Sequence, residues 1–246
     1  MTGAGYGDRE WEGLAGQKRL LSLVVTGCLL ALVSAVPASG ATVRTVLLVH
    51  GYQGSTSSFD QMEASLQALG IPSVEVALPG ENNVANAVYI QGIVKGIVQA
   101  GGPGTSVEIV AHSMGGLSSR WYAKFLGGSP AGGTPLVAHY VSLGTPQYGL
   151  WAACVLLQTN GGQMCPTSSF LGQLNGGDDT TGSAAYTTIY STNDGLVPTS
   201  SSRLDGGACF VQDSGVTHDG LLTNVTVFDQ IVAALRSTCP GVFKTT

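Results

Sequence analysis

Ser113 is the residue of this chain best placed to do chemistry. It lies in V-E-I-V-A-H-S-M-G-G, Val107 to Gly116, where a short apolar run typical of a buried strand meets a helical stretch that opens at Gly115, Gly116 and Leu117 and continues through Phe125. A serine on so tight a turn has its hydroxyl pushed clear of both elements, and the backbone needs small residues two places to either side. Ala111 and Gly115 are those residues, alanine replacing the first glycine of the usual G-x-S-x-G form.

A serine hydroxyl is a weak nucleophile near neutral pH, so it needs a base to take its proton and a carboxylate to fix that base. Four histidines are present. His50 ends the first predicted strand, His112 belongs to the turn and is expected to point away from Ser113, and His139 falls inside a strand, where a buried, hydrogen-bonded imidazole is the simplest reading. His218 sits in a polar loop, Gln212 to Asp219, from which a side chain reaches over the sheet edge, and it is the expected base. Asp194, in S-T-N-D-G-L-V-P just past a strand end, is the expected carboxylate. Asn-Asp-Gly is also a turn signal in its own right, and Asp205 in R-L-D-G is the main rival. Ser113, Asp194 and His218 in that order suit acyl transfer on a strand-and-helix scaffold. The negative charge that develops on the substrate carbonyl needs two backbone N–H donors, expected from Met114 and Tyr52; losing one such donor costs roughly 10² to 10³ in turnover.

The elements that must hold these residues alternate along the chain. Strands are predicted at 43–49, Val74 to Leu78, Val107 onward, Leu136 to Leu143, Tyr186 to Tyr190 and Ala208 to Val211, with helices at Ser57 to Leu69, Val84 to Gln99, after Ser113, and at Val225 to Arg236. That rhythm predicts an α/β fold, a mostly parallel sheet with helices on both faces and the reactive groups at the strand C-termini. Gly127 to Pro135 and the long loop from Gln147 to Ser183 break the rhythm, and the second is expected to shape a cleft. No internal repeat is evident.

Composition bounds the class. Charged residues make up 10 % of the chain and apolar ones 43 %, which excludes a disordered chain, and a net charge of -5 with no basic patch excludes a nucleic-acid partner. Lys18 and Arg19 precede an apolar run from Leu20 to Val36 and the small residues Ala38-Ser39-Gly40-Ala41, so residues 1–41 read as an export signal cleaved near Gly40/Ala41, with the catalytic domain at 42–246. A retained anchor over the same run, giving a membrane-tethered protein, and lipoprotein processing at Cys28 are the competing readings. Export leaves Cys154, Cys165, Cys209 and Cys239 in an oxidising compartment, where two disulfides are expected. Three pairings are possible; Cys154-Cys165 and Cys209-Cys239 are favoured, one closing a Gly-rich loop and one tying a late strand to the tail. A zinc site would need C-x-x-C or histidines at ligand spacing, and neither occurs.

With these residues in view the chain resembles the small secreted bacterial class 2 lipases of the α/β-hydrolase fold, whose turn is A-H-S-M-G. The matching pieces are L-L-V-H-G at 47–51, A-H-S-M-G-G at 111–116, L-G-T-P at 143–146, N-D-G-L-V-P with S-R-L-D-G at 193–206, and G-V-T-H-D-G-L-L at 215–222. The resemblance implies a compact six-stranded core, a triad of Ser113, Asp194 and His218, oxyanion donors at Tyr52 and Met114, and Asp205 outside the triad. It implies a secreted triacylglycerol lipase or carboxylesterase acting on lipid or other esters, meeting a lipid-water interface transiently, without a cofactor and as a monomer. The loop from Gln147 to Ser183 is longer than such a compact enzyme needs. Tyr52, Met114, Leu150, Trp151 and Leu196 are candidates for an acyl pocket, with core packing the alternative for each. Asp178, Asp179 and Asp205 lack the spacing of a calcium loop, and the sequon at Asn224 reads as chance. Alternatives are a cutinase-like polyester hydrolase, an acyltransferase, and a secreted binding protein with a decayed site.

Overall fold

The computed structural model describes residues 44–245, so the export-signal residues and Cys28 lie outside the described part. Six short runs rich in β-branched residues form parallel strands: β1 (Thr45–Val49), β2 (Ser73–Val76), β3 (Val107–His112), β4 (Val137–Leu143), β5 (Ala185–Ser191) and β6 (Ala208–Asp213). A seventh, β7 (Val242–Lys244), joins antiparallel to β6, so the sheet runs β2-β1-β3-β4-β5-β6-β7. The six-stranded expectation thus holds for the parallel core and misses one edge strand, whose three exposed residues carry no amphipathic signal.

Successive strand side chains point to opposite faces, and the sheet buries both. Val46 and Leu48 of β1 pack with Val110, Val141 and Val211 under α1 (Asp60–Ala68) and, at the other end of the chain, the final helix Val225–Leu235. Leu47 and Val49 pack with Ile109 and Ala111 under α2 (Asn83–Gly101) and α3 (Met114–Phe125). Strands buried on both faces read as continuous apolar runs, which is why L-L-V and E-I-V-A were legible. β2 ends at Val76, two residues earlier than expected, because the Leu78 N–H turns away to donate to His50 Nε2 at 3.2 Å.

The stretch from 147 to 183 is structured. It carries two 3-10 turns (Trp151–Val155 and Gly162–Met164) and a short helix, α4 (Ser169–Asn175), with the Cys154–Cys165 disulfide joining the turns. Ala153, Met164, Phe170, Leu171 and Leu174 pack on Met114 and Leu117 of α3. Arg120, fully buried on α3, donates from Nη1 to Gln147 Oε1 at 2.8 Å and from Nη2 to Asn175 Oδ1. Burial holds its guanidinium below its ordinary pKa, with no carboxylate among the described residues in salt-bridge contact. Beyond it come α5 (Thr199–Ser202) and then α6, the final helix already described, whose terminus is tied to β6 by Cys209–Cys239.

Candidate active site

The chain leaves β1 for β2 on one side and then returns to place β3 on the other, so the crevice between the C-terminal ends of β1 and β3 is where such sheets hold ligands. Two loops meet there. At the end of β3 Ser113 has φ 53° and ψ -129°, a left-handed conformation that L-residues adopt under compulsion. The compulsion comes from crowding: a Cβ on Gly115 would lie 2.6 Å from the Val49 carbonyl oxygen and closer still to that of His50, and one on Gly51 would lie 2.7 Å from Ser113 Cβ. Gly115 is therefore required by the backbone at the end of β1, and Gly51 by the serine turn itself.

Asp194 and His218 come from the loops after β5 and β6. His218 Nδ1 lies 2.9 and 3.0 Å from the two Asp194 carboxylate oxygens, and the His218 N–H donates to the Asp194 carbonyl at 2.9 Å, so the loops are clipped by side chain and backbone together. The carboxylate also accepts from the N–H groups of Leu196 and Val197 at 3.0 and 2.6 Å. Burial pushes the Asp194 pKa up, but the His218 hydrogen bond and those amides outweigh it and hold the carboxyl below its usual range. Gly144, at φ 55°, sits beneath the pair; a Cβ there would be 2.8 Å from Asp194 Oδ2 and 3.1 Å from His218 Nδ1, which gives L-G-T-P its glycine. Asp205 makes no contact with His218; its N–H donates to Asp179 at 3.0 Å, at the rim of a polar cavity of about 590 Å³.

With His218 Nδ1–H directed at the carboxylate, Nε2 is left as the acceptor. Ser113 and His218 line one small cavity of about 170 Å³ with Gly51, Tyr52, His112 and Leu196; no hydrogen bond joins the serine hydroxyl to the imidazole. Met114 is the first residue of α3, so its N–H has no intrahelical acceptor, and the Tyr52 N–H makes no backbone hydrogen bond among the described residues. Both amides flank Ser113 in sequence or across the Gly51 contact.

His112 departs from its expected place. Rather than pointing away, it lines the same cavity: its ring lies 4.5 Å from that of His218, and its Nε2 donates to the His218 carbonyl at 3.0 Å. Burial foremost, then the neighbouring His218, push its pKa down to about 4 against weaker upward pulls from that carbonyl, Asp219 and Asp194. A histidine directly before a nucleophile was the available signal. His50 is a structural pin, with Nδ1 on the Gly51 carbonyl and Nε2 on the Leu78 amide. Of the acyl-pocket candidates, Tyr52 and Leu196 line the cavity, whereas Met114 is fully buried in the α3 core, Leu150 packs against that core, and Trp151 is 72 % exposed. Asp178 Oδ1 accepts from the Thr180 N–H, Asp179 Oδ2 accepts from the Tyr148 hydroxyl and the Asp205 N–H, and among the described residues no cluster of three acidic, histidine or cysteine side chains is arranged to hold a metal. Asn224 caps α6, accepting from the Val227 N–H at 3.2 Å.

A mostly parallel sheet of this order, with a strained serine turn after β3 and a histidine loop after β6, defines the α/β-hydrolase fold. Solved structures agree: Aspergillus fumigatus lipase B (TM-score 0.65, 20 % identity, 81 % of this chain and 54 % of that one), Bacillus licheniformis lipase BlEst2 in mature form (0.65, 18 %, 79 % and 93 %), and MGS-MChE2, an α/β hydrolase from a lagoon-sediment metagenome (0.58, 16 %, 79 % and 90 %). The chain thus spans about half the length of the Aspergillus enzyme. The profile of the family "Lipase (class 2)" matches residues 97–232, more than half of the 246 residues, so the chain belongs to the class 2 lipases, a family of carboxylic ester hydrolases.

Proposed function

We propose that this chain is a secreted serine ester hydrolase, cleaving acyl esters of the triacylglycerol or simpler carboxylic type through an acyl-enzyme on Ser113. The observation that carries the reading is the His218–Asp194 clip, with both carboxylate oxygens within 3.0 Å of Nδ1, beside a serine whose backbone is held in the left-handed region. His218 Nε2 takes the Ser113 proton as Oγ attacks the ester carbonyl, and the amides of Met114 and Tyr52 receive the oxyanion. The alcohol leaves with that proton. Water, deprotonated by His218, then attacks the acyl-enzyme and releases the acid, so no cofactor enters the cycle.

A cavity of about 170 Å³ at the serine, walled by Tyr52 and Leu196, suits a short acyl segment with the remainder lying outward. Export, with cleavage near residues 40–41, is the reading that the two disulfides support, since such bonds persist in an oxidising compartment. One chain supplies every site residue, which supports action as a monomer. The test is Ser113→Ala on emulsified tributyrin and on a series of p-nitrophenyl esters. Loss of turnover by about 10⁴ to 10⁶ is expected, with a phosphonate probe labelling Ser113 of the parent protein. Undiminished hydrolysis in Ser113→Ala would move the chemistry off Ser113, whereas no hydrolysis and an unlabelled Ser113 in the parent protein would leave a binding protein on the same fold as the better reading.

A further inference from the structure

A second serine, at the opposite end of the sheet, is arranged on an imidazole and a carboxylate. Glu108 and His139 are cross-strand neighbours at the starts of β3 and β4, both side chains nearly inaccessible. His139 Nδ1 lies 2.9 Å from Glu108 Oε1, and His139 Nε2 lies 2.8 Å from Ser237 Oγ. A carboxylate acceptor fixes the hydrogen on Nδ1, which leaves Nε2 to accept from the Ser237 hydroxyl. This is the same chain of donors and acceptors as in the site above, with its serine–imidazole link already made. Arg44 Nη1 stands 3.6 Å from the same Glu108 oxygen.

Ser237 is exposed, unlike the pair behind it, and it borders a cavity of about 300 Å³ with Ala234, Tyr186 and the Cys209–Cys239 disulfide. Its backbone is left-handed, φ 60°, one of three non-glycine residues in that region among the described residues; Ser113 is another. The position follows from the end of α6, where the N–H groups of Ser237 and Thr238 return to the carbonyls of Ala234 and Ala233. A helix cap of this kind is served best by glycine. A serine there accepts backbone strain and places a hydroxyl on a buried imidazole.

We propose that Ser237 is a second activated nucleophile, an acyl-accepting site for small activated carboxylic esters. Ser237 Oγ bonds to the ester carbonyl carbon as its proton passes to His139 Nε2, the carbon–oxygen bond to the alcohol breaks, and the alcohol takes that proton, leaving an O-acyl serine and a free alcohol. The amides of Ser237 and Thr238 are both occupied by α6 carbonyls, so this site lacks the free donor pair that speeds turnover. It therefore acylates slowly and stoichiometrically.

The experiment uses the full chain carrying Ser113→Ala, which silences the first site, with p-nitrophenyl acetate as the probe. A stoichiometric burst of p-nitrophenolate is expected. Peptide mass spectrometry places the acetyl group on Ser237, with labelling about 10²-fold faster than at an exposed serine without an imidazole, such as Ser200. Ser237→Gly, which suits the left-handed backbone and preserves the fold, abolishes the burst, and a folded His139→Gln slows it by a similar factor. Acetylation of Ser237 no faster than of Ser200 in the Ser113→Ala protein overturns the proposal without any further variant. So does a burst that survives Ser237→Gly. Neither result bears on Ser113, whose role is read in the parent protein.

Discussion

Two imidazoles with different duties meet at the candidate site. His218 is held by Asp194 from one side, and His112 holds the backbone of His218 from the other. Replacing Asp194 by Asn keeps the shape of the clip but favours the wrong tautomer of His218, so kcat should fall by about 10⁴ with KM little changed; steady-state kinetics on a soluble ester checks this, and a fall of less than tenfold counts against the assignment. His112 carries a pH signature. Its folded pKa, about 4, lies below the value near 6.5 of an unfolded chain. The unfolded state therefore takes up a proton over a window in which the folded state does not, and stability present above about 6.5 is lost as pH falls toward 4, on the order of 3 kcal/mol in full. Melting temperatures across that window should decline, and His112→Gln, which keeps a donor for the carbonyl, should flatten part of the decline. An unchanged slope in that variant removes His112 as the cause. Ser113, His218 and Asp194, the residues proposed as nucleophile, base and carboxylate, could each be picked out from short motifs, because each such role needs a particular residue type at a fixed place beside a strand end. The bond from His112 was not, since it joins residues 106 positions apart and depends on which way a ring turns.

At the scale of elements, the six parallel strands were legible because burial on both faces leaves unbroken apolar runs. The interior of the 147–183 stretch was not. Its order comes from contacts invisible locally: a buried Arg120 spanning to Gln147 and Asn175, Lys124 donating to the carbonyls of Leu174, Gly176 and Asp178, and a disulfide joining two 3-10 turns. The two disulfides enclose different lengths of chain, 11 and 30 residues apart. On chain entropy alone they are worth about 2.8 and 3.7 kcal/mol. Double Cys→Ser variants should therefore melt in that order, Cys209/Cys239 the lower, and calorimetry on both checks it. The Cys154/Cys165 variant should in addition lose more activity than stability, because its loop packs against Tyr52 through Gly161.

Across the whole molecule, charge is unevenly distributed. Between Lys124 and Asp178 there is no Asp, Glu, Lys or Arg, and that uncharged stretch presents Trp151, Val155 and Leu157 at 72, 89 and 74 % exposure, while Leu196, 55 % exposed, borders the serine cavity. Large aliphatic side chains so fully in water favour an apolar phase by roughly 1.5 to 3 kcal/mol each once buried. Exchanging Val155 and Leu157 together for Ser should lower the rate on emulsified tributyrin by about tenfold or more for that reason, with hydrolysis of a dissolved short-chain ester unchanged. Equal losses on both substrates would assign the pair to folding instead. This face was only half visible in the sequence: the absence of charge can be read directly, whereas the choice of which apolar residues turn outward is made by the core beneath α3.

The strand that ends the sheet has a consequence for how copies of the molecule meet. Without Val242–Lys244, the outer backbone of β6 would offer a row of vacant amides and carbonyls, an invitation to stack edge to edge with a neighbour. Three residues ending in a lysine cover the first half of that row, Ala208 to Phe210, and are too short to recruit a further partner, and the sulfur tether at Cys239 keeps them at hand. Trimmed of this strap, the protein should keep its reactive groups in place and yet begin to clump.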